Sequence, residues 1–166
     1  LISRLLGKNQ KDKANQAAGN SIVLGFIFGI IVFLIGLFFS DDIISLFIRD
    51  PNIVILGSNY VRIILFGSFF LFYLRAALNI IRAQGNYLIP MVVLVFSAIL
   101  NIILDPILIF GFWEIQAMGV EGAAIATVFS RMISCVIITV FLLSKKNEIK
   151  ITLKGFKLDK KIIESI

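Results

Sequence analysis

Histidine is absent from this chain of 166 residues, and cysteine and tryptophan occur once each, at Cys135 and Trp113. A single thiol excludes a disulfide framework, and without histidine the usual zinc ligand sets cannot be assembled. Cys135 lies inside an apolar run, where a thiol serves as a small packing side chain. Charge is also scarce: 16% of the residues are charged, against about 25% in ordinary soluble domains. The first residues are polar and basic, with no short apolar stretch leading to a small-residue cleavage site, so no secretory signal is read there. There is no initiator methionine, and the chain starts and stops in charged segments. We expect a piece of a longer protein, lacking at least one helix before Leu1 and many after Ile166.

Apolar residues make up 59% of the chain and the mean hydropathy is +1.00, more than a water-soluble core of this length can hide. Inside the apolar runs periodicity is uninformative, because a helix that meets lipid or other helices all round needs no polar stripe. Length decides instead, since about 20 residues cross the hydrocarbon core. On that measure four spans are expected, at residues 17–39, 54–81, 88–112 and 120–143. The fold class is all-α, a polytopic bundle of transmembrane helices, with residues 144–166 as a basic tail. The second span should start with Asp50 as N-cap and Pro51 at the first helical position, where a missing N–H matters least. Gly85 follows its end. Residues Ile43 to Ile48 are too few to cross and are expected to form a turn or an interfacial helix.

Lysine and arginine set the orientation. Arg4, Lys8, Lys11 and Lys13 precede the first span, Arg82 sits in the middle connection, and Lys145, Lys146, Lys150, Lys154, Lys157, Lys160 and Lys161 follow the last span. The remaining connections carry Asp41, Asp42, Arg49 and Asp50 in one case, and Glu114 and Glu121 in the other. The positive-inside rule places the first group, and so both ends, in the cytoplasm. The expected location is a bacterial inner membrane, crossed several times. The basic balance then reflects topology and attraction to anionic lipid. No binding module or interleaving of basic and aromatic residues suggests a nucleic-acid partner.

Small residues mark helix faces built for close approach. Ala17, Ser21, Gly25 and Gly29 recur at four-residue steps and form one ridge, against which a neighbouring helix is expected. Gly119, Gly122, Ala123, Ala126, Thr127 and Ser130 form a second such face. Packing explains both without chemistry.

Packing does not explain Asn101, Asp105 and Pro106. A charged side chain at the centre of a membrane helix costs at least about 2.5 kcal/mol. Asn101 and Asp105 are four apart and share a face. Pro106 cannot donate to the Ile102 carbonyl and should kink the helix there, leaving an oxygen free beside the carboxylate. Such hard oxygens suit a proton or a small cation such as sodium. With a rise of about 1.5 Å per residue from Pro90, Asp105 lies roughly 20 Å into the membrane. Thr127 reaches a similar depth in the fourth span, and Asn79 of the second lies nearer its cytoplasmic end. Arg131, one turn beyond Thr127, offers a rival account: an ion pair with Asp105 would keep the carboxylate ionised and make it structural.

Four segments in order resemble one family. They are Ser-Arg-Leu-Leu-Gly at Ser3 to Gly7 followed by Ala-Asn-Gln-Ala-Ala, Arg-Ala-Gln-Gly at Arg82 to Gly85, Asn-Ile-Ile-Leu-Asp-Pro at Asn101 to Pro106, and Gly-Val-Glu-Gly-Ala-Ala-Ile-Ala-Thr at Gly119 to Thr127. Together they are similar to the N-terminal lobe of the multidrug and toxic compound extrusion family. The resemblance implies that the four spans are helices three to six of a twelve-helix transporter of two lobes, and that residues 144–166 begin the cytoplasmic connection between lobes. It implies export of organic, often cationic or amphipathic, compounds coupled to protons or sodium, with no cofactor and no enzymatic activity. It also implies a cation site at Asp105, Asn101, Thr127 and Asn79, completed by an acid on helix one. The expected partners are the bilayer, a small organic substrate and the remaining helices. The proton is favoured, because a second acid nearby makes a shared proton easier to hold.

Two other readings compete. A flippase for lipid-linked oligosaccharides, from the same superfamily, would want a cationic cavity, for which Arg75 and Arg131 are the candidates. A structural membrane subunit would have no need of an acid in the membrane.

The topology is testable with cysteines at positions 8, 42, 114 and 150 in a background lacking Cys135. An impermeant thiol reagent on intact cells should label positions 42 and 114 only. Labelling at 8 or 150 would overturn the orientation.

Overall fold

The computed structural model describes residues 1–144 and 149. Among these it contains six helices: α1 (Ile2–Gly7), α2 (Lys11–Ser45), α3 (Pro51–Phe66), α4 (Ser68–Ala83), α5 (Leu88–Phe110) and α6 (Gly119–Leu143). By length and composition α2, α5 and α6 can each cross a membrane, and α3 with α4 make a fourth crossing if the bent pair is one span. Each expected span falls on one of these helices or, for 54–81, on the pair α3 and α4. The tail expected at 144–166 lies, except for Ser144 and Ile149, outside the described residues.

Local signals set the helix ends. The Asn52 N–H donates to Asp50 Oδ1 at 2.9 Å, with Pro51 in the first turn, so α3 begins as its cap dictates. After α4 the chain turns through Gly85 at φ +82°, a left-handed conformation in which glycine avoids a Cβ clash. The α5–α6 link is equally tight. Gly111 has φ +79°, and a Cβ there would lie 2.7 Å from the Ile115 carbonyl oxygen. Trp113 at its tip is 91% exposed, as suits an aromatic anchor at a membrane interface.

Two boundaries differ from the sequence expectation. The first span was expected at 17–39, but α2 runs for 35 residues, about 50 Å at the helical rise, which exceeds the roughly 30 Å of hydrocarbon. Its last turns are held by α3. Ile44 packs against Gly57, where a Cβ would lie 3.2 Å from the Ile44 Cγ2, and Arg62 pairs with Asp41 at 3.0 Å. Of the turn or interfacial helix expected over Ile43 to Ile48, the part through Ser45 continues α2, and the chain leaves the helix at Leu46 and Phe47. The second expected span, 54–81, is bent by 41° between α3 and α4. A Gly67-Ser68 pair marks the break, a common place for a sharp kink. Gly67 lies where a Cβ would be 2.5 Å from the Val128 Cγ2 of α6, and the Ser68 hydroxyl donates to the Gly29 carbonyl of α2 at 2.8 Å. The bend is thus clamped from both sides. By contrast α5 continues through Pro106 to Phe110 without interruption, so the kink expected there produces no break in the helix.

The centre of the bundle is α4. Its Leu74, Ala77, Leu78, Ile80 and Ile81 are buried against Ala18 of α2, Val93 of α5, and Cys135, Ile138 and Leu142 of α6. Cys135 is a packing residue, as expected, with its thiol donating to the Phe70 carbonyl at 3.2 Å. The ridge of small residues on α2 meets α4: a Cβ on Gly29 would sit 2.5 Å from the Phe69 Cα, and one on Gly25 would sit 3.2 Å from the Phe72 carbonyl oxygen. On α6, Gly122 allows the same closeness to the Leu108 carbonyl of α5. The outer faces stay apolar and open, with Phe38 70% and Ile102 68% exposed, ready for lipid or further helices.

These approaches predict an asymmetry between glycines of one helix. Gly29→Ala forces backbone apart and should destabilise the protein by about 1–3 kcal/mol. Gly19→Ala, where a Cβ meets nothing within 4 Å, should be neutral. Thermal unfolding of the two variants checks this, and equal midpoints would contradict the packing described.

Candidate functional site

Helices α5 and α6 lie side by side, which brings three of the four expected site residues together. Asn101 and Asp105 occupy successive turns of α5, and the Asn101 amide Nδ2 donates to Asp105 Oδ1 at 3.1 Å. The same nitrogen is 3.5 Å from Thr127 Oγ1 on α6. Thr127 in turn donates its hydroxyl to the Ala123 carbonyl at 2.9 Å, as a threonine does within a helix. The three side chains are each half-buried. One amide therefore ties the carboxylate to the hydroxyl across two helices.

No ion pair to Asp105 forms among the described residues, where the ion pair is Arg62 with Asp41. The expected rival, an Asp105–Arg131 pair, is not made. Arg131 instead lines a cavity of about 250 Å³ between α4, α5 and α6, together with Arg75, Ser97, Asn101, Thr127 and Ser130.

Asn79 is not brought to this cluster. Its Oδ1 accepts from Arg82 Nη1 at 3.2 Å, and it lines a separate cavity with Ile2, Ala17, Ser21 and Ala76. The geometry of α4 explains the separation: Leu71, Leu74, Arg75 and Leu78 follow the helical repeat along the face toward Asn101. Arg75 is the polar residue that α4 presents to Asn101 and Thr127.

Two polar features were not singled out in the sequence. Asn59 Nδ2 of α3 donates to Glu121 Oε1 at 2.7 Å, in the first turn of α6, where a negative charge also faces the positive end of the helix dipole. The sequence counts Glu121 among the charges of a connection and within the fourth similar segment, and nothing in it pairs the residue with one so far away. Ser130, a residue of the Arg75–Arg131 cavity wall, is 1% exposed and its hydroxyl has no hydrogen-bond partner.

The MatE family model matches residues 1–107. The chain belongs to this family. The relatives of this MatE chain include the multidrug export protein MepA of Staphylococcus aureus (strain bovine RF122 / ET3-1), 32% identical over 99% of this chain and 36% of that protein. The chain thus spans about a third of the length of the curated relatives it matches. Among solved structures, an inward-facing multidrug resistance MATE transporter of the MOP superfamily matches with a TM-score of 0.87 and 30% identity, over 98% of this chain and 36% of that one. An outward-facing one matches with a TM-score of 0.86 and 28% identity, with the same coverage. The MatE fold expected from the four segments is the fold observed. Members are multi-pass membrane transporters, not enzymes.

Proposed function

We propose that this chain is part of the N-terminal lobe of a cation-coupled exporter of organic compounds, supplying the third to sixth of its helices and, from residue 144 onward, the start of the cytoplasmic link between lobes. The observation that carries the proposal is the Asn101–Asp105–Thr127 cluster, a carboxylate in an apolar helix held by an amide and not by a permanent cation. A charge in that position is hard to account for unless it is used.

The amide suggests how the site works. With no cation bound, the Asn101 NH₂ group supplies the donor that an ionised Asp105 requires. An arriving proton or sodium ion takes over that role. Asn101 is then released to turn its carbonyl oxygen toward the ion, and Thr127 adds a hydroxyl oxygen, both hard ligands. Loss of the Asn101–Asp105 bond loosens α5 one turn before Pro106, where the backbone already lacks a donor. An ion can shift the lobe between two shapes only by binding one of them better. Asn79, in its own cavity, is not needed for this step.

Alternating access draws support from the two solved transporters. The same four-span unit fits the inward-facing and the outward-facing structure almost equally, with TM-scores of 0.87 and 0.86. A unit of this kind can move largely as one body while access changes around it.

In the whole transporter, Asp105→Asn should abolish ion-driven efflux of a cationic dye while leaving the amount of folded protein in the membrane near normal. Continued uphill pumping would refute the role. The coupling ion is separately testable. With a proton as the coupling ion, efflux from proteoliposomes at a fixed pH gradient should survive removal of sodium, and Thr127→Val should leave that insensitivity unchanged. Collapse of efflux on sodium removal would identify sodium instead.

A further inference from the structure

Arg75 and Arg131 have no part in the ion step, yet both line the cavity of about 250 Å³ between α4, α5 and α6. Arg75 lies eight residues before the end of α4 and Arg131 twelve after the start of α6, roughly 12 and 18 Å along their helices and well inside any membrane they cross. Arg131 is within electrostatic reach of Arg75 and of Tyr60. Neither guanidinium meets a carboxylate among the described residues, where Asp41 pairs with Arg62 and Glu121 accepts from Asn59. Two like charges at this depth are expensive unless something of opposite sign shares the space.

At the wall of the cavity the Ser130 carbonyl accepts from the Ser97 and Ser134 hydroxyls, which ties α5 to α6 there. The other lining residues include Leu71, Leu74, Leu78 and Leu94, a wholly apolar wall. Two guanidinium groups and several leucines in one cavity match a molecule with an anionic oxygen head and an apolar body. Guanidinium groups are suited to such heads because their paired N–H bonds match the spacing of carboxylate and phosphate oxygens.

We propose that this cavity binds the oxyanion head of an amphipathic molecule, a carboxylate or phosphate held by Arg75 and Arg131, with the apolar body against the α4 leucines. As a statement about cargo it rests on the exporter reading. As a statement about binding it stands alone. The head belongs either to an exported compound or to an anionic membrane lipid, which share this chemistry.

The test uses the whole transporter in neutral maltoside micelles and two fluorescent probes that differ only in the head, dansyl-undecanoic acid and its uncharged amide. The acid should bind about tenfold or more tightly than the amide, the scale of one charge-assisted hydrogen bond. Arg75→Gln and Arg131→Gln should each reduce that preference, and Arg75→Lys and Arg131→Lys should retain part of it. Arg75 is exposed, so its variants report even if Arg131→Gln fails to fold. Displacement of the acid by phosphatidylglycerol assigns the site to lipid, and uphill export of the acid without displacement assigns it to cargo. Both results uphold the oxyanion site. Equal binding of acid and amide, or a preference untouched by Arg75→Gln, overturns it, including the case in which an acid elsewhere in the transporter already fills the cavity. Efflux of a cationic dye, measured in parallel, separates the two readings: dye export without acid preference defeats only this inference.

Discussion

An ionised carboxylate inside a membrane helix needs donors that water would otherwise supply, and at Asp105 the donor described is one amide, that of Asn101. Much of the arrangement around it serves that contact. Asn101 sits one turn before Asp105, so the two share a face of α5. The Gly122 approach to the Leu108 backbone draws α6 close enough for Thr127 to meet the same amide. An amide is a weaker holder of negative charge than a guanidinium, and the proposed mechanism uses that weakness. A cation can displace an amide, whereas breaking a buried ion pair leaves a charge uncompensated.

The lobe keeps its shape by a different means. In lipid there is little hydrophobic drive between helices, so contact depends on small residues that let backbones approach. Gly25 and Gly29 serve α2 against α4, Gly122 serves α6 against α5, and Gly67 lets α6 press into the bend between α3 and α4. The bend divides the second crossing in two. One half ties to α6 through Asn59 and Glu121, and the other carries Arg75 and the core leucines. The polar contacts of the bundle thus run between helices at several levels, while the outward faces remain apolar.

Much of this was legible in the sequence. Length and apolarity placed four crossings, because lipid leaves helices few alternatives. Asp50 with Pro51 marked the start of α3, and the spacing of Asn101 and Asp105 placed them on one face. What was not legible depends on neighbours. Glycine-serine pairs are common in membrane helices, and only Val128 and the Gly29 carbonyl turn the pair at Gly67 and Ser68 into a bend. The extra length of α2 comes from Asp41 and Ile44 meeting α3, contacts that no local pattern announces. Asn79 entered the expected site through the resemblance; in the fold it lines another cavity, and Arg75 occupies the face toward Asn101. The absence of an Asp105–Arg131 pair could be settled only by geometry, since both residues lie at compatible depths.

The central claim is that Asp105 itself receives the coupling ion. Infrared difference spectroscopy reads this directly, by comparing the whole transporter before and after addition of protons or sodium. The account predicts difference bands of a carboxylate becoming protonated or ion-bound in the wild type, and their loss in Asp105→Asn. The same bands persisting at full strength in Asp105→Asn would show that the ion binds elsewhere and would contradict it.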